Sequence, residues 1–160
     1  MKPFTAGGRG VILLHLTVEE CRLLRDLARQ LPTVLTSGDA DPAVERLLPN
    51  AYPDDAAAAA EFRSFTRSGL VERKLTNAGR VSATLPDESG VSELTAADGQ
   101  AWLRTLTDLR LVLATRLGIE EDGDEGDPDE LLRAVYDWLA YLQDSLLAVL
   151  EAASPLEDIP

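Results

Sequence analysis

The stretch TAADGQAWLRTLTDLRLVLATRLG, residues 95–118, decides the fold. Thr95 is a residue type that caps helix N-termini, and Gly118 one that closes a helix in the left-handed conformation. Between them Trp102, Leu106, Leu109, Leu113 and Leu117 recur at steps of three and four, the spacing of one helical face. Leu111 points the opposite way at ~100° per residue. A helix with apolar groups on two sides belongs in the centre of a bundle.

Working outward, residues 119–127 form an acidic loop, and Asp127-Pro128-Asp129-Glu130 then starts the last helix. A cap, a proline at the first position and carboxylates at the positive end of the helix dipole support that start. Leu131, Val135, Trp138, Leu142, Leu146 and Val149 are expected to face inward, with Arg133, Asp137, Asp144 and Glu151 facing out. The two Trp-bearing helices should form an antiparallel pair across the loop. Upstream, residues 1–16 read as a hairpin with a flexible Gly7-Gly8-Arg9-Gly10 turn. Thr17, with Glu20 three residues on, makes a capping box for a helix to about Leu35, with Pro32 kinking its last turn. A short helix follows through Val44 to Leu48, then a turn over 50–55. A helix from Ala56 to about Leu85 is expected to kink or break near Gly69. Pro86 to Glu93 read as a loop. The fold class is therefore mainly α: a helical bundle with a short N-terminal β-hairpin, one domain over 1–160, with a frayed tail at 154–160.

Composition narrows the function classes. The chain of 160 residues is 45% hydrophobic and 27% charged, with a formal charge of −13. That is globular and able to bury a core. No segment approaches the ~20 apolar residues of a membrane helix. Val11 to Leu14 is too short for a signal-peptide core. A cytoplasmic location is the expectation, without membrane contact. The charge is uneven: residues 1–86 carry a net +1 and residues 87–160 a net −14. The acidic half repels phosphate, so no direct specific DNA binding is expected of the chain alone. One cysteine, Cys21, and one histidine, His15, leave no multi-cysteine metal site and no two-histidine mechanism. No catalytic residues, metal or cofactor are assigned, and a non-enzymatic role is expected.

The acidic loop fails as an EF-hand, because counting from Asp122 puts Gly126 at position 5 and Arg133 at position 12. The glycine turn lacks a phosphate-loop pattern. Three features remain. Arg63, Arg67, Arg73 and Lys74 form, with Arg80, a local positive excess able to contact DNA phosphates or an acidic partner, or to pair with the chain's own carboxylates. Cys21 lies on the inward stripe of its helix and reads as a small apolar residue or a redox thiol. Arg110 and Arg116 lie within about 60° of the centre of the Trp102–Leu117 stripe. Structural ion pairs are the favoured reading there, with Glu61 as acceptor and Asp108 and Asp137 as alternatives.

Three blocks carry a family resemblance. They are Arg46 to Asp55 followed by Glu61-Phe62-Arg63, then Trp102 to Gly118, then Tyr136 to Gln143. In this order they are similar to an actinobacterial family first catalogued as a domain of unknown function, which includes AosR-type oxidative-stress transcriptional regulators. The resemblance implies a cytoplasmic, non-enzymatic regulator working through protein–protein contacts with the transcription machinery, a sigma factor among them. A homodimer is compatible with it. A helical adaptor or scaffold in protease-linked or sulfur-metabolism pathways is the alternative. The family's redox reading rests on a Cys-x-x-x-Cys switch, whereas here Arg25 stands four positions after Cys21 and Thr17 four before. Thiol sensing in this chain would require an intermolecular disulfide or a sulfenic acid.

Overall fold

The architecture is that of a computed structural model, which describes residues 2–48, 56–87, 90–120, 126 and 128–153, without the side chains of 39, 56–66 and 153. Among the described residues the order is β1 (Phe4–Ala6), β2 (Ile12–Leu16), α1 (Val18–Leu35), α2 (Ala43–Leu47), α3 (Ala56–Thr84), β3 (Gly90–Leu94), α4 (Ala96–Leu117) and α5 (Glu130–Ala153). The strands form one antiparallel sheet in the order β1-β2-β3.

Helix α4 is the axis, touching α1, α2, α3, α5 and β3. Its ends are set by local chemistry. Thr95 Oγ1 accepts from Asp98 N–H at 3.0 Å while Asp98 Oδ2 accepts from Thr95 N–H at 3.0 Å, and Gly118 closes the helix at φ 72°. All five stripe residues, Trp102, Leu106, Leu109, Leu113 and Leu117, are buried. The same reciprocal cap opens α1 between Thr17 and Glu20. That helix continues through Pro32 to Leu35 and buries Cys21, Leu24, Ala28, Leu31 and Leu35.

Strand alternation puts Ile12, Leu14 and Leu16 inward, while β1 adds Phe4. The Phe4 ring meets Trp102 edge-on at 5.7 Å. Phe4 N–H donates to Ser145 Oγ, and Trp102 Nε1 donates to Thr84 Oγ1 at 2.8 Å. One aromatic pair therefore locks the sheet, α3, α4 and α5 together. At Gly99 a Cβ would lie 2.8 Å from Ile12 Cδ1 and 3.2 Å from Leu150 Cδ2, so a larger residue there would push those side-chain ends aside where α4 meets the sheet.

Four expectations are corrected. Residues 90–94 are a strand, not part of a loop: Ile12 pairs with Leu94 and Leu16 with Gly90. The signal is weak because only Leu94 of β3 is buried, so the pairing comes from the open edge of β2 and not from the segment's own pattern. Helix α3 runs through Gly69 without a break, since Leu70, Val71 and Leu75 still pack against the core. Helix α5 starts at Glu130, with Asp129 Oδ1 accepting from Leu132 N–H, so Asp129 supplies this bond at the helix start. That start moves the inward face. Leu132 packs against Leu117 and Ile119, and Leu139, Leu142 and Leu146 are fully buried. Leu131, ~100° round the helix from Leu132, is instead 78% exposed. Trp138 is half-buried.

Helices α4 and α5 are antiparallel, as their cross-contacts run in opposite order: Gly99 beside Leu146, Arg110 beside Gln143, Leu117 beside Leu132. The turn over 50–55, most of the acidic loop and the tail at 154–160 lie outside the described residues. No helix among those described is long and apolar enough to cross a membrane.

Candidate partner-binding face

Helices α1 and α5 each pack on α4 and leave a groove of ≈ 350 Å³ over its surface. Leu23, Leu27 and Leu31 of α1 form one wall, Leu131, Leu132 and Val135 of α5 the other, and Leu109, Val112 and Leu113 of α4 the floor. Gln30, Arg116 and Asp129 are the polar groups on its lining. An apolar concavity with a few convergent polar groups is the usual form of a binding site. The exposed Leu131 stands on its α5 wall.

Arg116 is fixed as a wall residue. Its Nη1 and Nη2 donate to Asp41 Oδ1 and Oδ2 at 2.8 and 2.6 Å, a two-pronged pair joining α4 to the segment before α2. Asp41 also accepts from Ala43 N–H at 2.9 Å. The Arg116 bond, then the Ala43 bond, hold the Asp41 carboxyl down at about 2. Among the described residues the acceptor is thus Asp41 and not Asp108 or Asp137; the Glu61 side chain lies outside the described residues.

Arg110 differs from expectation. Among the described residues it meets no carboxylate. Its Nη1 donates to Gln143 Oε1 at 3.0 Å, its Cζ lies 4.5 Å from the Tyr136 ring centroid, and Gln143 Nε2 donates to Thr107 Oγ1 at 2.7 Å. The nearby acids are already engaged: Asp108 with Lys74 and Asp137 with Arg133. An amide and a ring face take the guanidinium instead.

The basic run divides in the same way. Lys74 is spent internally on Asp108, and Arg80 on Asp98. Arg73 is exposed and Arg67 half-buried, while the Arg63 side chain lies outside the described residues. Arg73, Lys74 and Asn77 share a cleft of ≈ 210 Å³ with Arg104 and Thr107 of α4. Arg104 joins this charge only through tertiary packing, which sequence spacing does not reveal.

Cys21 is 1% exposed. Burial pushes its thiol up, Arg25 only partly offsets this, and Glu20 adds to it. A thiol oxidises as its thiolate, so this one is poorly placed to react from the folded state. His15 bonds with Thr5 Oγ1 at 2.9 Å, on the sheet. Among the described residues no three His, Cys, Asp or Glu side chains gather as metal ligands would.

Comparison with known proteins places this architecture. The family described as "Domain of unknown function (DUF2017)" matches residues 1–150. The chain belongs to this family. Within the DUF2017 family it is similar to the "Oxidative stress regulator AosR" of Mycobacterium tuberculosis and of Mycobacterium bovis, at 38% identity over 127 residues, covering 69% of this chain and 58% of theirs. It is 35% identical over 129 residues to the "Putative oxidative stress regulator AosR" of Mycobacterium leprae, covering 70% of this chain and 59% of that one. The match thus spans well under two thirds of these relatives' own length. No solved structure matches the chain.

Proposed function

We propose that this chain is a non-enzymatic, cytoplasmic regulator of oxidative-stress gene expression that acts through protein–protein contacts with the transcription machinery, a sigma factor being the expected contact. The observation that carries the reading is the open apolar groove between α1 and α5 on a chain whose relatives are named as oxidative-stress regulators. The groove offers hydrophobic area for a protein partner and no paired nucleophile and base. The burial of Cys21 argues that regulation lies in partner contact and not in oxidation of this thiol.

The test is affinity capture of the tagged full chain from its own cells, with and without peroxide, followed by identification of what is retained. RNA polymerase subunits or a sigma factor are expected. Retention of protease subunits in their place would support the adaptor reading and overturn this one.

A further inference from the structure

The cleft of ≈ 210 Å³ between α3 and α4 shares no lining residue with the α1/α5 groove. It contains the Lys74–Asp108 pair, 2.7 Å apart and largely out of water. Arg104 stands one turn before Asp108 on α4, a spacing at which opposite charges on a helix meet. Lys74 occupies that acid from the neighbouring helix, which leaves Arg104 exposed and without it. Arg73 stands one turn before Asn77 on α3 and is exposed as well. Among the described residues no carboxylate pairs with either arginine, although the chain holds 28 Asp and Glu for 15 Lys and Arg. Among the same residues the Asn77 side-chain amide has no hydrogen-bond partner. Three cations against one carboxylate leave the cleft at +2. Like charges held over one cleft repel, and an anion between them relieves the repulsion.

We infer that the α3/α4 cleft binds one dianionic phosphate group, held by Arg73 and Arg104, one from each helix, with the Asn77 amide donating to a further oxygen. A guanidinium forks onto phosphate oxygens as an ammonium cannot. A phosphate monoester carries roughly −1.5 to −2 near neutral pH and three acceptor oxygens, which matches both the charge of the lining and its three unpartnered donor groups. A carboxylate, with one charge and two oxygens, leaves one arginine uncompensated. A nucleic-acid backbone fits less well. Each of its phosphates brings one charge, and a strand reaches beyond the ~8 Å screening length into the field of a chain of net −13. A single phosphate in the cleft feels chiefly the lining. Leu70, also on the lining, offers an apolar contact to the carbon chain of an ester. The inference is independent of the proposed partner contact.

The test is an NMR titration of the isotope-labelled full chain with inorganic phosphate, glycerol phosphate and acetate, at neutral pH and a constant ~150 mM ionic strength made up with chloride. The side-chain N–H signals of Arg73, Arg104 and Asn77 should shift saturably with both phosphates, and acetate should bind at least about tenfold more weakly. Tighter binding of glycerol phosphate than of phosphate would set the ester's carbon chain against Leu70, and equal binding would make free phosphate the ligand; both uphold the site. Arg73→Gln and Arg104→Gln should each weaken binding about tenfold. Arg104→Lys, which keeps the charge and loses the fork, should weaken it several-fold. Arg22→Gln removes the same charge from an exposed position on α1 and should leave binding unchanged. Shifts that grow without saturation, acetate binding as tightly as phosphate, or an equal loss in Arg22→Gln would each reduce the effect to general charge attraction and overturn the proposal. A DNA single strand of about ten nucleotides that binds more tightly than glycerol phosphate would assign the cleft to nucleic acid and overturn it too.

Discussion

Lys74 Nζ lies 2.7 Å from Asp108 Oδ1 at the seam between α3 and α4, with both side chains largely out of water. Burial pushes the Asp108 carboxyl above the usual range, and Lys74 pulls it only part of the way back. The ionised acid is therefore disfavoured in the fold, and the stability cost grows as pH rises through its raised pKa. Lys74→Met should cost ~3–5 kcal/mol at neutral pH by stranding the carboxylate. The loss should shrink in acid, where Asp108 is protonated. Adding Asp108→Leu should restore most of it. Thermal unfolding of the three variants across pH checks this, and a loss independent of pH would contradict it.

Asp41 gives the opposite sign. Its carboxyl is held at about 2 against an ordinary 3.8, chiefly by Arg116 and then by Ala43 N–H. The Arg116 pair therefore stabilises the fold above pH ~4 and fades as pH falls from ~4 to ~2. In Arg116→Gln, Asp41 should titrate higher, though not at the ordinary value, because the Ala43 bond remains. A carboxyl-carbon NMR titration reads this directly; an unmoved Asp41 would remove Arg116 as the cause.

Arg110 binds by shape. Its bond to Gln143 and its stack on Tyr136 fix how α5 lies on α4, although among the described residues its buried Nε has no hydrogen-bond partner. Arg110→Ala should cost ~1–3 kcal/mol by leaving Gln143 half-satisfied. Arg110→Lys should recover little, since an ammonium has no planar face to stack. Denaturant unfolding of both variants checks this, and a neutral Arg110→Lys would show that charge alone suffices.

On the sequence side, the architecture is written wherever burial repeats with a helical period. The 102–117 stripe, the Thr17 cap and the Gly118 stop are local signals, and the fold uses all of them. Strand β3 is not legible because Val91 is 57% exposed and only Leu94 of the strand is buried; its pairing depends on the edge of β2, which is distant in sequence, with Leu16 opposite Gly90 and Ile12 opposite Leu94. The groove is not legible either. Three helices converge to make it, and the residue that marks it, Leu131, reads as core until the one-residue offset to Leu132 is seen in space. The partners of Arg110 and Arg116 share this difficulty: helical-wheel angles place a guanidinium near an apolar face, but Gln143 and Asp41 are brought there by packing.

Direct DNA contact is expected to be weak. Of the front-half cations, Lys74 and Arg80 are engaged by Asp108 and Asp98, and the back half carries −14. Anisotropy of a labelled duplex at ~150 mM salt should show no specific binding by the chain alone. Any weak binding at low salt should fall on removal of charge at Arg67 and Arg73. Sub-micromolar binding by the isolated chain would contradict this.

The claim that this DUF2017 member works by contact with the transcription machinery is tested most directly with purified components. The full chain is sedimented with RNA polymerase holoenzyme reconstituted from the same cells, and with each sigma factor separately. The account predicts that the chain co-sediments with a sigma factor or with the holoenzyme containing it. Sedimentation of the chain apart from core enzyme, from holoenzyme and from every sigma factor would contradict it.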